Sequence, residues 1–370
     1  MFLEKRDEMA WPKMIDQEIL AARPAKNRLD PWIPYAFLVE SERSRQGTLD
    51  EVLTLFLTNQ ECPFRCTMCD LWRNTLDQRV PLGAIPAQID YAIERTPPAR
   101  HIKLYNAGNF FDAQAIPPED HGQIIARVRG FETVIVENHP RLTDERSVRF
   151  RDQLGTQLEV AIGLETIHPE ILAGLNKRMT VEDFDQSVRF LLKHQIDVRT
   201  FLLLKPPGLD EASGREWALR SLKHAAERGV GCISLIPTRP GNGMMEHLQT
   251  QGEFSRPTIQ SMEWVLEQGL EFVRKHHPTT RLFMDLWDVE SFYDCLQCGP
   301  ARAERIQKMN LSQQIEPAVP TCVCGHSRNR FFPFTRLSLL NMFFSIHTFS
   351  AKHPFFSKHG VLLSTRSDCA

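Results

Sequence analysis

The stretch Leu53–Asp70, LTLFLTNQECPFRCTMCD, runs an apolar segment straight into three cysteines within eight residues. Its first half, aliphatic and β-branched and closed by Asn59-Gln60-Glu61, reads as a β-strand that stops at a polar loop. Cys62, Cys66 and Cys69 follow with C-x3-C-x2-C spacing. Structural zinc and ordinary iron–sulfur clusters each take four protein ligands, and no fourth cysteine or histidine follows within twenty residues. What the chain does with three thiols depends on where this loop lies relative to the other strands.

Further apolar runs follow at intervals: HIKLYNAG (101–108), ETVIVEN (132–138), LEVAIGLET (158–166), DVRTFLLLKPP (197–207) and GCISLIPTRP (231–240). Between them lie segments of helical period: HGQIIARVRG, TVEDFDQSVRFLLKHQ with Thr180 as N-cap, and EASGREWALRSLKHAAERG ending at Gly229. Six strands alternating with helices predict a parallel sheet, because each parallel pairing needs a crossover. Runs apolar on both faces fit strands covered on both sides. An open doubly wound sheet and a partial (β/α) barrel both satisfy the pattern. In either, functional groups gather at the carboxyl ends of strands. Asn59, Asn106–Asn109, Glu137-Asn138-His139, Glu165-Thr166, Lys205–Pro207 and Thr238–Pro240 all fall there, as does the cysteine loop.

The chain has 370 residues, 42% apolar and 24% charged, the profile of a globular protein with a substantial core. Forty-four Lys and Arg against 46 Asp and Glu give no global attraction to nucleic acid. The start, MFLEKRDEMAWPKMIDQEIL, has neither the h-region of a signal peptide nor a membrane anchor, so a cytoplasmic location is expected. In that compartment nine cysteines point to metal or catalysis rather than disulfides. Cys232, within an apolar run, is expected in the core.

The chain divides by composition into an N-terminal extension (1–50), helical then extended; the β/α core (51–260); a helical region (261–324) interrupted by RLFMDLWD; and a tail (325–370). The tail holds eight Phe and seven Ser but one acid, and its apolar piece LSLLNMFFSI is too short to span a membrane. It reads as poorly ordered or as an interfacial segment. Cys295-x2-Cys298 and Cys322-x1-Cys324, 23 residues apart, are similar to the paired knuckles of a structural zinc site, with His326 able to replace one thiolate. An auxiliary iron–sulfur cluster, or no metal, remains open for these four.

Three thiolates on a four-iron, four-sulfur (4Fe–4S) cube would leave one iron free for a small molecule with amino and carboxylate groups. The C-x3-C-x2-C loop, after the first strand of a β/α series, resembles the radical SAM superfamily. That resemblance implies a partial (β/α)6 barrel, a 4Fe–4S cluster on Cys62, Cys66 and Cys69, and S-adenosylmethionine (SAM) on the open iron. It also implies reductive cleavage of SAM to a 5′-deoxyadenosyl radical and an external one-electron donor of flavodoxin or ferredoxin type. Met68 stands where many members carry an aromatic residue. Asn106, Gly108 and Asn109 occupy the place of the motif that holds the SAM amino group, with Asn109 replacing an acid. Glu165 would meet the ribose or amino group, and Ile236 and Pro237 the adenine. Glu137, His139 and Lys205 are candidates to face the substrate, Lys205 toward a carboxylate or phosphate.

Over roughly residues 30–325 the chain is similar to the family of the archaeosine synthase radical SAM subunit, itself related to Elongator-type and methylthiotransferase domains. This implies action on a lysine-bearing 7-deazaguanine nucleoside of tRNA. NAGN, ENHP and PTRPGNG depart from that family's loops, and these departures are expected to face the substrate. The glycines of RPGNGMMEHLQ are a weak candidate for phosphate binding, and no RNA-binding module or aromatic platform accompanies them. Two rivals stand beside this expectation: a radical SAM enzyme for a small molecule, and a non-catalytic zinc-binding module.

Overall fold

The structure, a computed structural model, describes residues 14–319. Eight strands form one sheet in strictly sequential order: β1 (Ala36–Arg43), β2 (Leu49–Leu57), β3 (His101–Asn106), β4 (Thr133–Asn138), β5 (Gln157–Glu165), β6 (Asp197–Leu204), β7 (Cys232–Pro237) and β8 (Arg281–Met284). The six strands expected from the sequence are β2 to β7, all parallel. The structure adds one at each edge. β1 forms an antiparallel hairpin with β2, turned by Ser44–Thr48, and β8 extends the parallel set beyond β7. Thus β1 lies inside the expected N-terminal extension and β8 is the start of the RLFMDLWD run of the helical region. Both were hidden from periodicity, β1 by charges at alternate positions and β8 by its length of four residues.

Sequential order without a reversal excludes the doubly wound alternative, which needs a switch point. Right-handed crossovers then put the helices on one face and curl the other inward. The curl brings the two sheet edges together: Glu42 on β1 lies 3.6 Å from Arg281 on β8. Glu42 also pairs with Lys103 on β3 and Arg199 on β6, while Glu159 on β5 pairs with Arg199 and Arg281. The molecule is therefore a curled, mixed eight-strand half-barrel whose lower interior is a buried charge layer.

The outer helices form where their caps and apolar stripes dictate. Thr180 caps Val181–Lys193 in a reciprocal box with Asp183. Asp210 caps Glu211–Glu227, and Gly229 closes it at φ +89°. Their apolar faces cover strands such as β5, buried almost throughout. Helices Ile259–His276 and Gly299–Ser312 pack on each other around β8.

Cys295 and Cys298 are buried where Gly299–Ser312 begins. Cys322, Cys324, His326 and the tail lie outside the described residues. Cys232, as expected, is in the core. Among the described residues no helix is long and apolar enough to cross a membrane.

Candidate active site at the strand ends

The cysteine loop leaves β2 at its carboxyl end and lies across the upper mouth of the half-barrel. Its three sulfurs are free thiols, close enough to raise one another's pKa. Burial pushes Cys62 up, Cys66 up to about 12 and Cys69 higher still, against the pull of the nearby Lys177 ammonium on Cys62 and Cys66. Without metal these thiols are protonated at neutral pH, and the charge that would ionise them together is that of bound iron.

A second feature fits the implied cofactor. Gly108 follows β3 so closely that a Cβ there would sit 3.4 Å from the side-chain amides of Asn59 and Asn106 and 3.7 Å from Cys62 Cβ. Asn106 is 2% exposed, yet neither atom of its amide has a hydrogen-bond partner, and Asn59 Oδ1 is equally orphaned. Buried polar atoms without partners are rare and mark a place for a polar ligand. Asn59 Nδ2 donates to the Gln60 carbonyl at 2.7 Å, so three thiols beside the open amide of Asn106 and the open oxygen of Asn59 are what a 4Fe–4S cluster carrying SAM's amino and carboxylate groups would need. Asn109, which replaces an acid, donates to Cys62 Sγ at 3.4 Å.

The other expected residues fall at the same rim, each with partners. Glu165, at φ +64° on an irregular end of β5, accepts from Lys177 Nζ at 2.7 Å, both side chains nearly buried. A methyl group on Gly163 would collide with that pair, so glycine is what lets it form. Glu137 accepts from the Asn106 backbone N–H at 3.0 Å, and burial raises its carboxyl to about 8.

His139 stacks on Phe64 of the cysteine loop, centroids 3.8 Å apart and planes 14° from parallel. Its Nδ1 accepts from Arg141 N–H, so Nε2 carries the proton and donates to the Lys177 carbonyl at 3.0 Å. Burial lowers its pKa to about 3, so the ring is neutral with both nitrogens committed. Lys205 spans Glu211, Ser255 and the Arg256 carbonyl, clamping the 253–258 loop. Pro237 is buried at the end of β7, and its neighbour Ile236 shares an apolar cluster with Met68.

The loops that depart from the archaeosine family touch the cysteine loop itself. Asn109 reaches Cys62, His139 reaches Phe64, and Asn242 of PTRPGNG donates to the carbonyls of Thr67 and Cys69. Part of each of these loops thus supports the cysteine loop. At RPGNG the Gly243 N–H already donates to the Glu246 carboxylate at 2.7 Å, which removes one of the donors a phosphate would need. Lys177 and Asn242 carried no signal in the sequence. Each becomes visible only when loops after β5 and β7 meet the loop after β2.

Residues 57–213 match the Radical SAM superfamily. An uncharacterized protein of Methanocaldococcus jannaschii is 23% identical over 320 residues, covering 80% of this chain and 86% of its own. The archaeosine synthase subunit beta of Methanosarcina acetivorans is 25% identical over 295 residues, 75% of this chain and 84% of its own. Among solved structures, the archaeal Elp3 of Methanocaldococcus infernus aligns over 70% of this chain and 63% of that one, at 16% identity and TM-score 0.47. Residues 57–213, with their three-cysteine loop at the mouth of the half-barrel, are a radical SAM domain, and the protein that carries it is an enzyme.

Proposed function

We propose that this enzyme starts radical chemistry on a modified nucleoside of tRNA, of the 7-deazaguanine type, presented at the mouth of the half-barrel. The observation that carries the chemistry is the grouping of three protonated thiols with the uncommitted amide of Asn106 and the unpartnered Oδ1 of Asn59 around Gly108. Cys62, Cys66 and Cys69 would hold the cluster, and Asn106, Gly108 and Asn109 would face the methionine end of SAM. When bound, cluster and SAM supply one-electron cleavage of a C–S bond and a carbon radical that takes a hydrogen atom. The protein's own groups shape the space around them. Ile236, Pro237 and Met68 offer an apolar wall for the adenine. Glu165 is held by Lys177, and Glu137, uncharged at neutral pH, adds no negative charge beside the thiolates.

The nucleoside substrate is supported by the likeness to archaeosine synthase subunit beta from two archaea, 25% and 26% identical. Arg141, exposed after β4, would be a contact for a phosphate backbone, and Arg178, exposed after β5, would become one on releasing Asp16. A flavodoxin- or ferredoxin-type donor would supply the electron, in the cytoplasm.

The test is anaerobic reconstitution with iron and sulfide, then dithionite and SAM, with 5′-deoxyadenosine as readout. Cys66→Ala runs alongside, with and without tRNA bearing a lysine-substituted 7-deazaguanine. Deoxyadenosine from the wild type alone, stimulated by that tRNA and accompanied by loss of its side chain, is expected. Wild-type protein that forms deoxyadenosine but leaves the tRNA unchanged rejects the nucleoside and leaves a small-molecule substrate. Protein that binds zinc and no iron at these cysteines rejects the radical reading.

A further inference from the structure

We propose that Asn242 is a positioning residue that holds the Cys62–Cys69 loop in its cluster-binding shape before any cluster arrives. The proposal rests on Cys62, Cys66 and Cys69 being the cluster ligands. A loop of this kind presents carbonyls to a site that must also receive anionic thiolates, and each carbonyl left without a donor favours collapse into another conformation. Here the donors come from elsewhere in the fold. One amide, Asn242 Nδ2, gives one proton to the Thr67 carbonyl at 2.7 Å and the other to the Cys69 carbonyl at 3.1 Å. The same side chain's Oδ1 accepts from Met245 N–H at 2.8 Å, which fixes which end of the amide faces the loop. Asn242 is 2% exposed, so no water competes for these bonds.

The opposite side of the loop is held by the segment after β5. Thr67 N–H donates to the Leu175 carbonyl at 2.9 Å, and Asn176 Nδ2 donates to the Arg65 carbonyl at 2.7 Å. Asn242 is the member of this brace whose loss frees two carbonyls at once, one of them on a ligand residue. Its loop can approach so closely because Gly241 and Gly243 flank it at φ +146° and +88°.

A purely structural alternative assigns Asn242, which precedes the N-cap Gly243, only the bond its Oδ1 accepts from Met245 N–H in the first turn of helix Met244–Thr250. Aspartate separates the two. Asn242→Asp keeps the oxygen that caps Met245 N–H, as good a cap as asparagine. It replaces the donating amide by an acceptor facing two carbonyl oxygens. A brace requires Asp to be at least as damaging as Ala; a cap requires Asp to match wild type.

The experiment uses the full chain as wild type, Asn242→Asp and Asn242→Ala, with thermal unfolding by circular dichroism to show that the variants are folded. In metal-free protein, iodoacetamide labelling of Cys62, Cys66 and Cys69 is followed by mass spectrometry. After reconstitution, iron and sulfide content and the rate of cluster loss in air are measured. Both variants are expected to label about tenfold faster and to lose the cluster about tenfold faster, the consequence of two lost hydrogen bonds. Asp behaving as wild type while Ala does not, or both behaving as wild type, overturns the proposal. Wild type that takes up no iron at these cysteines overturns the cluster reading beneath it. In that case the labelling rates still show separately whether Asn242 shapes the loop.

Discussion

At Glu137 burial outweighs the Asn106 N–H and the Lys177 charge, and the carboxyl rises from 4.5 to about 8. Between those values the folded protein keeps a proton that the unfolded chain has released. Folding stability must therefore fall as pH rises through that window. Glu137→Gln keeps the neutral shape and removes the titration, so metal-free protein should show a flatter stability curve, by a few kcal/mol at about 1.4 per pKa unit. Denaturant unfolding at a series of pH values checks this, and parallel curves for variant and wild type would count against it. Lys177 poses the converse case, a buried ammonium whose partner Glu165 would be left alone. Lys177→Met is expected to cost about 3 kcal/mol in denaturant unfolding, because a buried charge without its partner is strongly unfavourable. Glu137 was legible as a residue at a strand end. Its protonation was not, since that depends on what the neighbouring strands bury.

At the scale of elements, the lower interior of the half-barrel binds β1, β3, β5, β6 and β8 through charge. Against the burial that would raise them, Arg199, Lys103 and Arg281 hold Glu42 well below the usual carboxylate range, and Arg281 and Arg199 lower Glu159. A lowered folded pKa contributes stability above the unfolded value near 4.5, lost as pH falls toward the folded one. Glu159→Gln should cost about 3–5 kcal/mol at neutral pH, because two buried guanidinium groups lose their shared counterion. It should also shift part of the acid-unfolding transition; an unchanged transition would mean that the layer is replaceable. These charges explain why the edge strands escaped sequence reading. AFLVESER alternates as an exposed strand does, yet Glu42 points into the barrel, where Lys103 and Arg199 await it.

Across the whole molecule, the N-terminal segment straps the mouth. Ile19 packs with Met244, Met245, Leu248 and Phe254, while Asp16 holds Asn176 and Arg178. Arg23 lies 4.4 Å over Trp72 and pairs with Glu61 beside the cysteine loop. Loops after β2, β5 and β7 are thereby joined by one stretch of chain. Deleting residues 1–26 should lower the unfolding midpoint and make the reconstituted cluster several-fold shorter-lived in air, followed by its visible absorbance; an unchanged lifetime would remove the strap from the site.

By itself the sequence determined the six parallel strands, the helices between them and the place of the cysteine loop. Apolar runs of strand length, capping residues and ligand spacing are local, and each is decided within a few residues. The sequential sheet that curls into a half-barrel, the two edge strands, the neutral His139 and Glu137, and the hold of Asn242 and Lys177 on the site were decided only by tertiary structure. Each depends on groups far apart in the chain being desolvated together, and a linear pattern holds no record of what a residue will be buried against.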